Sequence, residues 1–283
     1  MTIRNPLEWG WDQFKLTAHG VGAAGSTLHH AHDAPVTIRR MTVADLGDAL
    51  NRGLSDFAAY RTDVVMLCII YPVLGLVLAR LATGYELLPL LFPLASGFAL
   101  IGPIAAMGLY EMSRRREEGH PVTWATAFGV IRSPSFGAIL TLSLLLMTIF
   151  VLWLTAAALI YEHTLGPKLP TSIADFVRDI LTTEQGHKLI AFGCGAGFLF
   201  AVLTLAISIV SFPLLLDRDV GLDTAIWASI RTVAANPGPT ALWGLIVAFG
   251  LVIGSLPFFL GLVIVMPVLG HATWHLYRKA IAR

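Results

Sequence analysis

The chain has 283 residues, 56% of them hydrophobic and only 13% charged, with a formal net charge of +1 from 19 Lys plus Arg against 18 Asp plus Glu. Soluble domains carry roughly 45–50% apolar and about 25% charged residues, so too few charges remain here to cover a globular surface of this size. This excludes a soluble enzyme, a disordered tail protein, a secreted disulfide scaffold and a nucleic-acid binder, and points to a multi-pass membrane protein.

Residues 1–41 read as a cytoplasmic N-terminal segment, flexible in part. The opening MTIRNPLEWGWDQFK has no apolar core of a signal peptide, so the first span is expected to direct insertion. Trp9, Trp11 and Phe14 suit contact with an apolar surface such as the membrane. His29, His30, His32 and Asp33 form an HHAHD cluster able to hold copper, nickel or zinc weakly. GVGAAGS before it and Ala34-Pro35 after it favour a solvated linker instead.

The rest of the chain, 42–283, reads as all-α, a polytopic membrane domain. A span needs ~20 apolar residues, and such runs occur at 62–81, 87–110, 136–161 and 189–216. The stretch 239–277 holds two more, divided at Gly254–Pro257, where Gly and Pro favour a turn. That gives six transmembrane helices. Amphipathic stretches precede alternate spans at 42–60, 122–131 and 222–235, each expected in the inner membrane interface. In the first, Val43, Leu46, Leu50, Leu54 and Phe57 fall at helical spacing, and Thr42 with Asp45 forms a capping box. A further amphipathic helix, 172–181, is expected on the outer face. With the N-terminus inside, inner segments hold fifteen Lys or Arg and outer segments four (Arg80, Lys168, Arg178 and Lys188). Both termini are therefore expected in the cytoplasm.

The elements repeat. Trp124-Ala125 recurs as Trp227-Ala228, and Ser133-Pro134 as Asn236-Pro237, both at an offset of 103. Residues 103–114 align without gaps on 267–278, with proline, an aromatic and arginine at matching places. Three repeats of interfacial amphipathic helix plus helical hairpin follow, at about 42–116, 117–218 and 219–283. Each second span carries a proline near its inner end (Pro103, Pro213 and Pro267), where a kink is expected. Kinked helices at matching positions either ring a cavity or serve packing.

The order of elements, Asn236-Pro237 and the ending PVLGHATWHLYRKA resemble a group of bacterial integral membrane proteins defined only as a domain of unknown function. The resemblance spans about 42–280. It implies six helices in a bacterial inner membrane and supplies no activity, substrate or catalytic residue.

Few constellations carry chemistry. His271 and His275, four apart, face one side of the last helix and are candidate ligands for a metal or haem, with Glu111 as a third at the repeat-equivalent position. Beside Trp274 and Tyr277 they also suit an interfacial belt. Span centres hold only hydroxyls such as Thr141, Ser143, Thr148, Thr204 and Ser208, which speaks against ion coupling. Gly193 with Gly197, and Gly250 with Gly254, form GxxxG patterns for close helix packing. Arg114, Arg115 and Arg116 enforce topology and are placed to meet anionic lipid headgroups. Cys68 and Cys194 read as packing residues. No Ser-His-Asp spacing, HExxH or CxxC is present, so no catalytic residue is assigned.

The sequence thus favours a non-catalytic inner-membrane protein that works by association, as accessory subunit, assembly factor or scaffold. Its expected partners are membrane lipids and a membrane protein or further copies of itself. A permease or lipid-handling protein for a neutral or amphipathic small molecule is the alternative. A metal or haem protein using His271 and His275 is a third; otherwise no cofactor is expected.

Overall fold

The computed structural model describes residues 36–69, 73, 75–77, 80, 88–166, 170, 172–257 and 259–282. The HHAHD cluster, Trp9, Trp11, Phe14 and the turn at 83–86 lie outside them, as does part of the first expected span.

Helix α1, Val43–Cys68, opens at the expected capping box: Asp45 N–H donates to Thr42 Oγ1 (3.3 Å), and Thr42 N–H to Asp45 Oδ2 (2.8 Å). Tyr60 leaves helical geometry (φ −123°, ψ 24°), so the amphipathic part ends where the apolar run begins. A 3-10 turn, Leu88–Leu90, leads into α2, Leu91–Ala105, and α3, Met107–Glu117. Their junction at Ala106 follows Pro103, which lacks an N–H for the carbonyl one turn back. A 3-10 helix, Trp124–Arg132, precedes α4, Phe136–Thr164. Ser172 caps α5, Ile173–Thr182, by accepting from Asp175 N–H (3.0 Å).

Next come α6, Glu184–Ser208, and α7, Ser211–Asp217. Pro213 lies in the first turn of α7, where a missing N–H costs no helical bond. Helix α8, Leu222–Ala235, keeps the bounds read from sequence and joins α9, Pro237–Ser255, through Asn236. Turn residues at 256–257 and 259–261 reach slightly beyond the expected Gly254–Pro257 break, and Phe259 there has φ 64°. Helix α10, Leu262–Ala280, continues unbroken across Pro267.

Three described helices are long and apolar enough to cross a membrane: α4, α6 with its continuation α7, and α9. Two helices over Leu88–Ala105, bent by 42°, make a fourth when counted as one broken span. This is fewer than the six read from hydropathy. The first expected span is only partly described. The sixth falls on α10, which carries His271, His275, Arg278 and Lys279 and buries most of its length within the protein. Among the described residues the fold is all-helical, with one isolated antiparallel bridge between Ile38 and Ile281.

That bridge ties the start of the described chain to its end. Arg39 N–H donates to the Ala280 carbonyl (2.7 Å), and Ala282 N–H to Thr37 (2.9 Å). Asn236 clamps the same segment, its Oδ1 accepting from Met41 N–H (2.6 Å) and its Nδ2 donating to the Arg39 carbonyl (3.1 Å). Helices α1 and α10 then pack antiparallel along their lengths. The seam is turned relative to the apolar face read from sequence. Leu46, Ala49, Gly53 and Asp56 are buried, whereas Val43 and Leu54 are exposed. Gly53 is the point of closest approach: a Cβ there would stand 2.6 Å from Ala272 N and 2.7 Å from the Val268 carbonyl.

Of the four GxxxG glycines, Gly197 faces the Trp153 ring, and Gly250 and Gly254 receive Val265, Leu269 and Leu262 of α10. Gly193 faces open space.

Candidate functional site

The described ionisable side chains with the deepest burial gather where α1, α3 and α10 meet. Leu109 and Ala106 pack onto Gly270, drawing α3 against α10 while Gly53 draws in α1. This brings Asp56, Ser113, Arg116, His271 and His275 together from segments up to 219 residues apart.

Asp56, 4% exposed, is the hub. Its Oδ2 accepts from Ser113 Oγ (2.5 Å) and His275 Nε2 (2.9 Å), and its Oδ1 accepts from Arg116 Nη1 (2.5 Å). Burial pushes this carboxyl's pKa up. The hydrogen bonds from His275 and Ser113 outweigh that and hold it below its usual range. Ser113 spends its proton on the carboxylate, so its oxygen accepts from His271 Nδ1 (2.8 Å). That fixes the tautomer of His271, leaving Nε2 as a lone pair, buried and without a hydrogen-bond partner.

A second set of ion pairs flanks the hub. Arg114 grips both oxygens of Glu111 (2.8 and 3.0 Å), and Arg115 reaches the same carboxylate (2.7 Å). Arg278 joins two carboxylates, with Nε to Glu117 (2.9 Å) and Nη1 to Asp217 (2.7 Å). Its guanidinium lies 4.7 Å from the Trp274 ring centre, at cation–π distance. Trp274 Nε1 donates to Glu117 (3.1 Å) and Tyr277 to Asp217 (2.5 Å). Arg218 bonds the Ala282 carbonyl. Lys279 reaches Asp48 (2.8 Å), whose hydrogen bond raises the lysine pKa.

Chemically, this is a layer of mutually satisfied charges. Ser, His and Asp do meet, but Ser113 stands between Asp56 and His271. In a hydrolytic triad the imidazole bridges the other two, so that it can take the hydroxyl proton while the carboxylate steadies it. Here the hydroxyl is already committed to the carboxylate and is 1% exposed.

The structure brings two of the three candidate metal ligands, His271 and His275, to Asp56 and gives the third other partners. Glu111 goes to Arg114 and Arg115, while His275 uses Nε2 on Asp56. Among the described residues no group of three His, Cys, Asp or Glu side chains is placed to hold a metal ion. Arg114, Arg115 and Arg116, read as a topology and lipid run, each bind a carboxylate. The span hydroxyls Thr141, Ser143, Thr148 and Ser208 donate to their own helix carbonyls, whereas Thr204 Oγ1 is buried without a partner. Both cysteines are free, Cys68 buried and Cys194 exposed.

Asp56, Ser113, Glu117 and Asp217 were not singled out by sequence. Asp56 alone left a trace: it continues the Leu46, Ala49, Gly53 spacing onto the buried face.

Several apolar helices of spanning length define an integral membrane protein. Residues 91–217, which comprise α2 through α7, match the model of a family described as a predicted integral membrane protein, DUF2189, a domain of unknown function. The match is narrower than the resemblance read over 42–280, and the PVLGHATWHLYRKA ending lies outside it. No curated protein and no solved structure matches the chain.

Proposed function

We propose that the protein is a non-catalytic component of the bacterial inner membrane that works by association, as accessory subunit, assembly factor or scaffold of a membrane complex. In this reading it has six spans in three repeats, with both termini in the cytoplasm. The supporting observation is the polar layer itself. Its carboxylates, arginines and Ser113 bind one another, so they fix three distant segments instead of presenting a reactive group. A protein so built offers its partners a surface held in one shape. Purification from native membranes in mild detergent, with mass spectrometry of what accompanies the chain, tests this. A stoichiometric second polypeptide is the expected result, and a solitary chain overturns it.

One observation favours the permease or lipid-handling reading. Thr204 Oγ1, on an apolar span, is buried without a hydrogen-bond partner, and such hydroxyls can meet a passing solute. Aqueous labelling of Thr204→Cys would support that path, and its failure would remove it. A metal or haem reading rests on the unpartnered Nε2 of His271. A purified protein with no bound metal and no Soret band excludes it.

A further inference from the structure

Helix α5 has no buried residue, although it is flanked by two spanning helices, α4 and α6. Its side chains divide into two arcs. At 100° per residue, Ile173, Phe176, Val177, Ile180 and Leu181 fall on one side, and Asp175, Arg178, Asp179 and Thr182 on the other. The apolar arc is itself split. Phe176 turns to the protein and meets Tyr161 at the end of α4, with ring centres 6.2 Å apart. Ile173, Val177 and Leu181 are left exposed.

The position of this helix is fixed at its C-terminal corner. Thr183 Oγ1 donates to the Asp179 carbonyl (2.6 Å) and accepts from Gly186 N–H (2.9 Å). A Cβ at Gly186 would stand 2.3 Å from the Asp179 carbonyl oxygen, so the α5–α6 corner admits no larger residue without moving. The length of α4 sets the level. Its 29 residues extend roughly 43 Å at about 1.5 Å each, close to the ~40–45 Å of a bilayer with its headgroup layers. The end of α4, and α5 beyond it, therefore come out in one headgroup layer.

From this arrangement we infer that α5 is an in-plane membrane helix, seated in the headgroup layer with Ile173, Val177 and Leu181 in the boundary of the acyl chains. The occupant of the exposed stripe is lipid, because the stripe continues the exposed apolar surface of the flanking spans, which carry Leu159 on α4 and Ile190 and Phe192 on α6. The attraction is apolar: Asp175 and Asp179 outnumber Arg178 on the polar arc, so nothing in α5 favours an anionic lipid. This goes beyond the association reading and does not depend on it.

Photo-crosslinking of the full chain in phosphatidylcholine vesicles tests the inference. Ile173, Val177 and Leu181 are each replaced by p-benzoylphenylalanine, with Arg178 and Thr182 replaced singly for comparison. Intact-mass measurement after illumination is expected to show lipid adducts severalfold more abundant at the first three positions than at the other two. Equal, low yields at all five would place α5 off the membrane and overturn the inference. Covalent dimers at the stripe positions would also overturn it, by giving that face to a second copy.

Discussion

Asp56 receives donors from three residues of two other helices, so its removal is felt at each of them. In Asp56→Ala, Arg116 loses a charge partner, and His275 and Ser113 each lose an acceptor. Removing one partner of a buried pair costs about 3–5 kcal/mol, and the half-exposed Arg116 side chain relieves part of that. We expect a loss of about 2–4 kcal/mol, read as a lower unfolding temperature in mild detergent, with Asp56→Asn intermediate. The same residue sets a pH dependence. Its folded pKa lies below the ordinary 3.8, so its stabilisation is present above that value and fades as pH falls through the folded one. Unfolding temperatures of wild type and Asp56→Ala should therefore converge as the pH falls below the ordinary carboxyl value of 3.8. A gap that stays constant would mean that Asp56 does not bind its proton less tightly when folded.

Among the elements, α1 shows what local signals convey. Thr42 and Asp45 mark its start, and the change from amphipathic to apolar sequence marks the break at Tyr60, because both depend on neighbours within a few residues. The bounds of α8 and the Ser172 cap of α5 are legible for the same reason. The partner of α1 is not. It pairs with α10, more than 200 positions away, and the pairing selects the Gly53 and Asp56 side of the helix over the one with the larger apolar residues. Two glycines in α1 separate packing from propensity. Gly53→Ala places a methyl against the Ala272 backbone and should cost about 1–3 kcal/mol. Gly47, with nothing within 4 Å of its Cβ position, should gain up to about 1 kcal/mol from the same change, since alanine is the better helix former. Thermal unfolding of the two variants checks both signs, and equal effects would mean that α1 and α10 do not pack this way.

For the whole molecule, composition established membrane residence, and the family match over α2 to α7 agrees. Hydropathy shows only part of what α10 does. Its apolar first half resembles a span, but His271, Trp274, His275 and Arg278 belong to a buried layer formed with other helices. The GxxxG spacing located three glycines in helix contacts but could not tell that Gly193 would face outward. The polar layer stayed hidden because each of its carboxylates, read alone, looks like a solvated charge. We propose that what that layer holds in place is a surface for association, and the mass of the particle in native membranes tests this most directly. Extraction into polymer-bounded nanodiscs without detergent, followed by native mass spectrometry, should give the 30.5 kDa chain in fixed ratio with a second polypeptide. The chain alone at its own mass, or only in multiples of it, would contradict the account.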